Sequence, residues 1–120
     1  MIGYLKREAA RVWQRCHDTL SGLAFAWREE ASFQQWIAAN GVNIAAACLV
    51  EMNAAERALI IGAGLMVLVA ELLNTGIESA IDRISEDRHP LSKKAKDTAC
   101  AAVALMAVIT GVIWVVVLIG

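Results

Sequence analysis

Residues 58–82 decide the fold of this chain, and they read Ala-Leu-Ile-Ile-Gly-Ala-Gly-Leu-Met-Val-Leu-Val-Ala-Glu71-Leu-Leu-Asn74-Thr-Gly-Ile-Glu78-Ser-Ala-Ile-Asp82. The stretch is long and apolar enough for a membrane-spanning helix, yet it includes Glu71, Asn74, Glu78 and Asp82. On a helix wheel these fall within an arc of about 80°, so they form one narrow stripe. A carboxylate at membrane depth costs at least about 2.5–3.5 kcal/mol, which indicates that Glu71 and Glu78 have a function.

The composition is typical of a small integral membrane protein. The chain has 120 residues, of which 58% are hydrophobic, and its mean hydropathy is +0.54. This length predicts a single domain, 1–120. Neither GxxxxGK[ST] nor GxGxxG occurs as a loop motif, which excludes the common soluble nucleotide-binding folds.

The pattern predicts an all-α membrane protein with one surface helix and three transmembrane helices. In residues 4–27, apolar and charged side chains fall on opposite faces of a helix. This is the pattern of a basic amphipathic helix that lies on a membrane. The transmembrane helices are predicted at 32–52, 58–82 and 98–119, each long enough to cross a hydrocarbon core of about 30 Å. A short turn is expected at 51–57.

Two further local features are predicted from single residues. Ser92 is expected to cap the helix that leads into the last span, because it follows the break at His89-Pro90. Trp114 is expected to anchor that span at the outer membrane interface, where tryptophan is enriched.

The basic residues predict the topology. Lys and Arg cluster in two segments, residues 1–35 and 83–96, and no charged residue follows Asp97. By the positive-inside rule, the N-terminus and the 83–97 loop are cytoplasmic and the C-terminus lies outside.

Carboxylates and lysines gather where the spans meet the cytoplasm, and this chemistry leaves two hypotheses open. The oxygen donors suit Mg²⁺ together with substrate phosphates, while Lys94 and Lys96 can neutralise phosphate charge. One hypothesis is therefore phosphoryl transfer to a membrane-dissolved alcohol, with Glu71 as base. The other is a proton- or cation-conducting oligomer in which Glu71 is a relay. The donors are Glu30, Glu78, Asp82, Glu86, Asp87 and Asp97.

A family resemblance favours the first hypothesis. Residues 71–97 contain E-x-x-N-x-x-x-E-x-x-x-D, starting at Glu71, and then Ala-Lys96-Asp97. Together they closely resemble the signature of prokaryotic diacylglycerol kinases, a family that includes undecaprenol kinases. Residues 22–33, Gly-Leu-Ala-Phe-Ala-Trp-Arg-Glu-Glu-Ala-Ser-Phe, resemble a second block of the same family.

The resemblance implies a homotrimeric helical bundle whose sites combine residues of neighbouring subunits. It implies that Glu71 is the catalytic base, supported by Asn74, and that Glu30 and Glu78 bind Mg²⁺. ATP-binding positions fall on Arg11, Glu30, Glu78, Glu86, Asp87, Lys96 and Asp97. Lipid-substrate positions fall on Arg11, Phe33, Gln35, Glu71 and Cys100.

The chain departs from the family pattern in places. The family pattern that starts at Glu30 usually reads E-x-A-F-R-x-E, whereas residues 30–36 of this chain read Glu-Ala-Ser-Phe-Gln-Gln-Trp. In addition, Asp18 stands where the family commonly has an aromatic residue.

The resulting prediction is an enzyme, an ATP-dependent and Mg²⁺-dependent lipid kinase of the bacterial inner membrane that converts 1,2-diacylglycerol to phosphatidic acid. Undecaprenol is the alternative substrate, and a non-enzymatic proton- or cation-conducting oligomer is the alternative of a different class. The expected partners are the lipid, ATP and two further copies of the chain, with no nucleic acid.

Overall fold

The computed structural model describes all 120 residues, and they form four helices joined by short connections. The helices are α1 (Ile2–Glu29), α2 (Ala31–Leu49), α3 (Ala54–Ile84) and α4 (Pro90–Ile119). The all-helical class expected from the sequence is therefore confirmed.

The chain divides into two compact units, Met1–Ala31 and Ser32–Gly120. The first unit is essentially α1, a continuous helix whose large apolar side chains, such as Leu5, Val12 and Leu20, are exposed. The helix ends where Glu30 adopts an extended conformation, with φ −111° and ψ 103°. The second unit contains α2, α3 and α4.

The connection between α2 and α3 is shorter than the sequence reading predicted. Helix α3 begins at Ala54, so Glu56 and Arg57 lie in its first turn and not in a loop. The reason is a capping box formed by Asn53 and Glu56. The Asn53 side chain accepts from the Glu56 backbone N–H at 2.9 Å, and the Glu56 carboxylate accepts from the Asn53 N–H at 2.9 Å.

Arg57 stabilises the other end of this connection, where α2 ends. Its Nε donates to the carbonyl of Ala47 at 2.8 Å, and Nη2 donates to the carbonyl of Met52 at 3.4 Å. The last carbonyls of a helix have no partner within the helix, and a basic side chain can satisfy them. The basic residue between the first two predicted spans therefore has a structural role at the end of α2.

Helices α2, α3 and α4 meet at Asn43. Its Nδ2 donates to the carbonyl of Ile60 on α3 at 3.2 Å, and its Oδ1 accepts from Nε1 of Trp114 on α4 at 2.8 Å. This bond directs the indole N–H of Trp114 into the bundle, where a polar partner is available for it. The expected role of Trp114 at a membrane interface stays a prediction.

Gly64 allows this close approach. A Cβ at this position would lie 2.5 Å from Nδ2 of Asn43 and 2.7 Å from Oδ1 of Asn40. Gly62, two residues earlier, differs from it, because a Cβ at Gly62 would meet nothing within 4 Å. Within the chain, only Gly64 has this role.

We expect Gly64→Ala to destabilise the protein by about 1–3 kcal/mol, the usual cost of overpacking a tight contact. The new methyl group would displace Asn43 from its bonds to α3 and α4. Gly62→Ala is the matched control, and its stability should be unchanged or slightly raised. The measurement is the free energy of unfolding in detergent micelles. Equal losses in the two variants would show that the Asn43 contact does not depend on Gly64.

The start of α4 differs from the prediction in its cap. His89 is the N-cap residue, and its Nδ1 accepts from the Leu91 backbone N–H at 3.1 Å. Pro90 occupies the first helical position, where its missing N–H and fixed φ are favourable. Ser92 already lies inside the helix, so the prediction that it caps α4 is wrong.

Two helices, α3 and α4, are long and apolar enough to cross a membrane. Helix α2 has 19 residues, which corresponds to roughly 28 Å, and it includes Asn40 and Asn43. These amides, together with Gln34 and Gln35 in its first turns, lower the hydropathy of α2.

Candidate functional site

The polar stripe of α3 becomes progressively more exposed along the helix. Glu71 is 3% exposed, Asn74 is 8% exposed, Glu78 is half-buried and Asp82 is exposed. One face of a single helix therefore carries a buried carboxylate at one level and solvent-accessible carboxylates two and three turns later. This arrangement can connect a proton acceptor in an apolar setting with charged groups in water.

Glu71 has a partner that the sequence analysis missed. The hydroxyl of Ser32, the second residue of α2, donates to Oε1 of Glu71 at 2.5 Å. The two residues are 39 positions apart, and no local pattern in the sequence connects them.

Asn74 connects the buried and the exposed parts of the stripe. Its Nδ2 donates to Oε1 of Glu78 at 3.3 Å, one turn further along α3. Its Oδ1 and the hydroxyl of the neighbouring Thr75 are buried and have no hydrogen-bond partner. Because buried polar atoms are usually paired, these two are available for a group that the chain itself does not supply.

Thr75 was absent from the predicted site. It lies about 40° from Glu71 on the helix wheel, at the margin of the polar stripe, so the helical spacing alone could have identified it.

A cavity of about 630 Å³ lies at the far end of α3, between the last turn of that helix, the 85–89 loop and the first turns of α4. It brings together four of the residues predicted to bind nucleotide. Its charged and polar lining includes Asp82, Ser85, Glu86, Asp87, Arg88, His89, Ser92, Lys93, Lys96 and Asp97. Pockets of about 300–1,000 Å³ are the usual size for small-molecule sites.

Lys96 is held in place at this cavity. Its Nζ donates to Oδ1 of Asp82 at 2.6 Å, which joins α4 to the end of α3. This hydrogen bond raises the pKa of Lys96 above its usual value; burial opposes the rise, and the charges of Asp82 and Glu78 add to it. Lys96 is therefore protonated at neutral pH, and the negative charge of Glu78 acts on it.

The other lysines of this segment differ from Lys96. Lys93 pairs with Asp97 within α4, and both line the cavity. Lys94 is exposed and is not part of the cavity wall. Of the two lysines that the sequence proposed for phosphate, the structure thus distinguishes Lys96.

The remaining predicted site residues lie elsewhere. Arg11 and Glu30 belong to the first unit, where Arg11 is exposed and pairs with Glu8 at 2.6 Å and Glu30 ends α1. Phe33 is buried and Gln35 is exposed, so the two do not share an environment. Cys100 is exposed, one turn after Lys96.

No group of three or more His, Cys, Asp or Glu side chains in the chain is arranged to hold a metal ion. A metal bound here would therefore need ligands from a substrate, water or another chain. Mg²⁺ commonly takes only one or two carboxylates from a protein and completes its shell with water and phosphate oxygens.

Comparisons with known proteins agree with this chemistry. The family model described as prokaryotic diacylglycerol kinase matches residues 17–118. The chain is 43% identical over 110 residues to a diacylglycerol kinase of Pseudomonas aeruginosa, covering 92% of this chain and 89% of that protein. It is also 36% identical over 108 residues to a diacylglycerol kinase of Escherichia coli K12, covering 90% and 88%. A diacylglycerol kinase of Helicobacter pylori 26695 is 34% identical over 104 residues, covering 87% and 81%.

Proposed function

This chain belongs to the prokaryotic diacylglycerol kinase family, and we propose that it transfers the γ-phosphate of ATP to the free hydroxyl of 1,2-diacylglycerol, giving phosphatidic acid. The observation that carries the proposal is the arrangement of α3. The helix bears a buried carboxylate, Glu71, and leads within three turns to a charged cavity of about 630 Å³. A lipid alcohol and a nucleotide are substrates that need these two environments next to each other.

Glu71 is the general base of this reaction. It accepts the proton of the lipid hydroxyl as the lipid oxygen forms its bond to the γ-phosphorus. The bond between that phosphorus and the oxygen bridging the β- and γ-phosphates breaks, and ADP leaves. Phosphoryl transfer requires mainly positioning and charge neutralisation, so a small helical protein can catalyse it. Asn74 supports the base from the next turn of α3.

The cavity binds ATP. An ammonium group has three N–H donors, and Lys96 uses one of them on Asp82. Two donors therefore remain for phosphate oxygens, and the bond to Asp82 holds them in a fixed position. Glu86, Asp87 and Asp97 line the same cavity and contribute nucleotide contacts. Arg11 of α1 is a further candidate for contact with both ATP and lipid.

Mg²⁺ fits the donors of this site. Glu78 is a half-buried carboxylate whose Oε1 accepts one long hydrogen bond, 3.3 Å from Asn74, so the group keeps lone pairs for a cation. Glu78 would hold the ion together with Glu30 and the ATP phosphates. When bound, the ion neutralises charge on the phosphates.

The proposed setting is the bacterial inner membrane. Helix α1 would lie on the surface, and α2, α3 and α4 would cross, with the N-terminus and the 83–97 loop cytoplasmic and the C-terminus outside. Two facts support this arrangement. The large apolar side chains of α4, among them Leu105, Val112 and Val116, are exposed, and the basic residues cluster on the segments assigned to the cytoplasm.

We further propose a homotrimer whose sites combine residues of neighbouring subunits. The exposed apolar side chains of α3, including Leu65, Val69 and Leu73, support a helix-packing interface there. The lipid site would include Phe33, Gln35 and Cys100.

An assay of the purified protein in mixed micelles tests the function. Radiolabelled ATP is supplied with 1,2-diacylglycerol or with undecaprenol, each with Mg²⁺ and with excess EDTA. We expect label in phosphatidic acid, a lower kcat/KM for undecaprenol, and no labelled lipid in EDTA. Phosphorylation of undecaprenol alone would identify the alternative substrate, whereas unlabelled lipid in both arms would refute the kinase.

A further inference from the structure

The hydroxyl of Ser32 makes a contact that the proposed reaction does not yet use. Three other hydroxyls in the chain, those of Thr19, Thr98 and Thr110, donate to the carbonyl four residues earlier in their own helix. Such bonds are the ordinary local choice for a helical hydroxyl. The Ser32 hydroxyl instead donates across to another helix, to Oε1 of Glu71 at 2.5 Å.

The position of Ser32 explains this choice. Glu30 is extended and ends α1, so Ser32 is the second residue of a new helix. Phe33, the next residue, is 4% exposed and holds the first turn of α2 in place. The amino-terminal turn of a helix also carries partial positive charge, which favours a carboxylate beside it.

The contact fixes the direction of the Glu71 carboxylate. A glutamate has three rotatable bonds, and a bond at one carboxylate oxygen fixes the plane of the group. Because an ionised carboxylate has two oxygens with about four acceptor sites, Oε2 can still accept a proton while Oε1 is occupied by Ser32. A reacting group held in a fixed direction gains rate, since small misplacements cost large factors.

We infer that Ser32 is a positioning residue that orients the Glu71 carboxylate toward the lipid hydroxyl. This inference rests on the proposed function, because it gives Glu71 the role of base. Ser32 acts only through Glu71, so its removal should slow the chemical step and leave the binding of both substrates unchanged.

The first test is Ser32→Ala in the mixed-micelle assay. We expect kcat to fall by about 10-fold or more, the usual effect of losing a hydrogen bond to a charged group. The KM values for ATP and diacylglycerol should stay within about 2-fold of those of the wild type, because Ser32 contributes to the chemical step and not to the binding of either substrate. Ser32→Thr restores a hydroxyl donor and should recover most of kcat.

Thr110→Val is the matched control. It removes a hydroxyl from α4 that bonds only within its own helix turn, and its kcat should match that of the wild type. If Ser32→Ala and Thr110→Val lose activity equally, or if Ser32→Thr is as slow as Ser32→Ala, the positioning role is wrong.

A double-mutant cycle distinguishes positioning from a separate contact. If Ser32 acts through Glu71, adding Ser32→Ala to Glu71→Gln should cause no further loss of kcat. An equal fold-loss in both backgrounds would show that Ser32 acts independently of the base and would overturn the inference. The kinase itself is judged separately: an active wild type with an unaffected Ser32→Ala removes only the role of Ser32, whereas an inactive wild type removes both.

Discussion

Glu71→Gln should lower kcat for lipid phosphorylation by about 10²-fold or more, the range of losses when a general base is removed. The amide has nearly the same size as the carboxylate, and its oxygen can still accept a hydrogen bond from Ser32. Packing around this residue, which is 3% exposed, should therefore persist. What is lost is the capacity to take up the hydroxyl proton. Single-turnover rates with radiolabelled ATP would measure the effect.

Two comparisons make the Glu71 result specific. ATP binding to Glu71→Gln should equal that of the wild type, because the nucleotide cavity lies three turns away and does not include this residue. Glu51→Gln removes an exposed carboxylate from the connection between α2 and α3, and this control should keep full activity. Near-normal kcat in Glu71→Gln would remove Glu71 from the mechanism.

The elements that follow from local pattern were predictable. The apolar run predicted a helix over residues 58–82, which lies wholly within α3, and two members of its predicted polar stripe, Glu71 and Asn74, are buried. The motif resemblance also grouped Glu86, Asp87, Lys96 and Asp97, which line one cavity. They are close in space because they lie on a single short helix–loop–helix segment. Residues that are near one another in the sequence are therefore also near one another in the structure.

The contacts between distant helices could not be predicted from spacing. Ser32 meets Glu71 across 39 residues, and Trp114 meets Asn43 across 71. These contacts depend on how α2 packs against α3 and α4, and hydropathy assigns residues to faces but does not pair the faces. For the same reason, hydropathy does not show that Gly64, and not Gly62, lies against the two asparagines.

Helix ends were the other source of error, and here the signals were present but unused. Asn53-x-x-Glu56 has the spacing of a capping box, and a histidine before a proline can supply an acceptor to the first free N–H groups. Hydropathy started the second predicted span at residue 58, although α3 begins at Ala54, because hydropathy records where the apolar run begins and not where the helix begins.

Lys96→Leu should abolish ATP-dependent lipid phosphorylation, with a loss of at least about 10²-fold in kcat/KM, because it removes preorganised donors from the phosphate site. The hydrogen bond to Asp82 raises the pKa of Lys96, so its ammonium group is charged when ATP binds. Leucine occupies a similar volume without charge. Assembly should be unaffected, since the side chain lines the cavity and the one bond that it loses, to Asp82, lies at the exposed end of α3.

Lys94→Leu is the matched control, because it removes the same charge from the same helix but outside the cavity wall. Its activity should stay close to that of the wild type.

Lys96→Leu and Glu71→Gln together distinguish a kinase from a proton- or cation-conducting oligomer. Either protein would use Glu71, but only a kinase needs Lys96. In liposomes the wild type should dissipate no proton gradient. A proton leak that persists in Lys96→Leu and disappears in Glu71→Gln, with no lipid phosphate formed by the wild type, would establish the conducting oligomer. Loss of lipid phosphorylation in Lys96→Leu but not in Lys94→Leu, in a protein that does not leak, would establish the nucleotide role of Lys96.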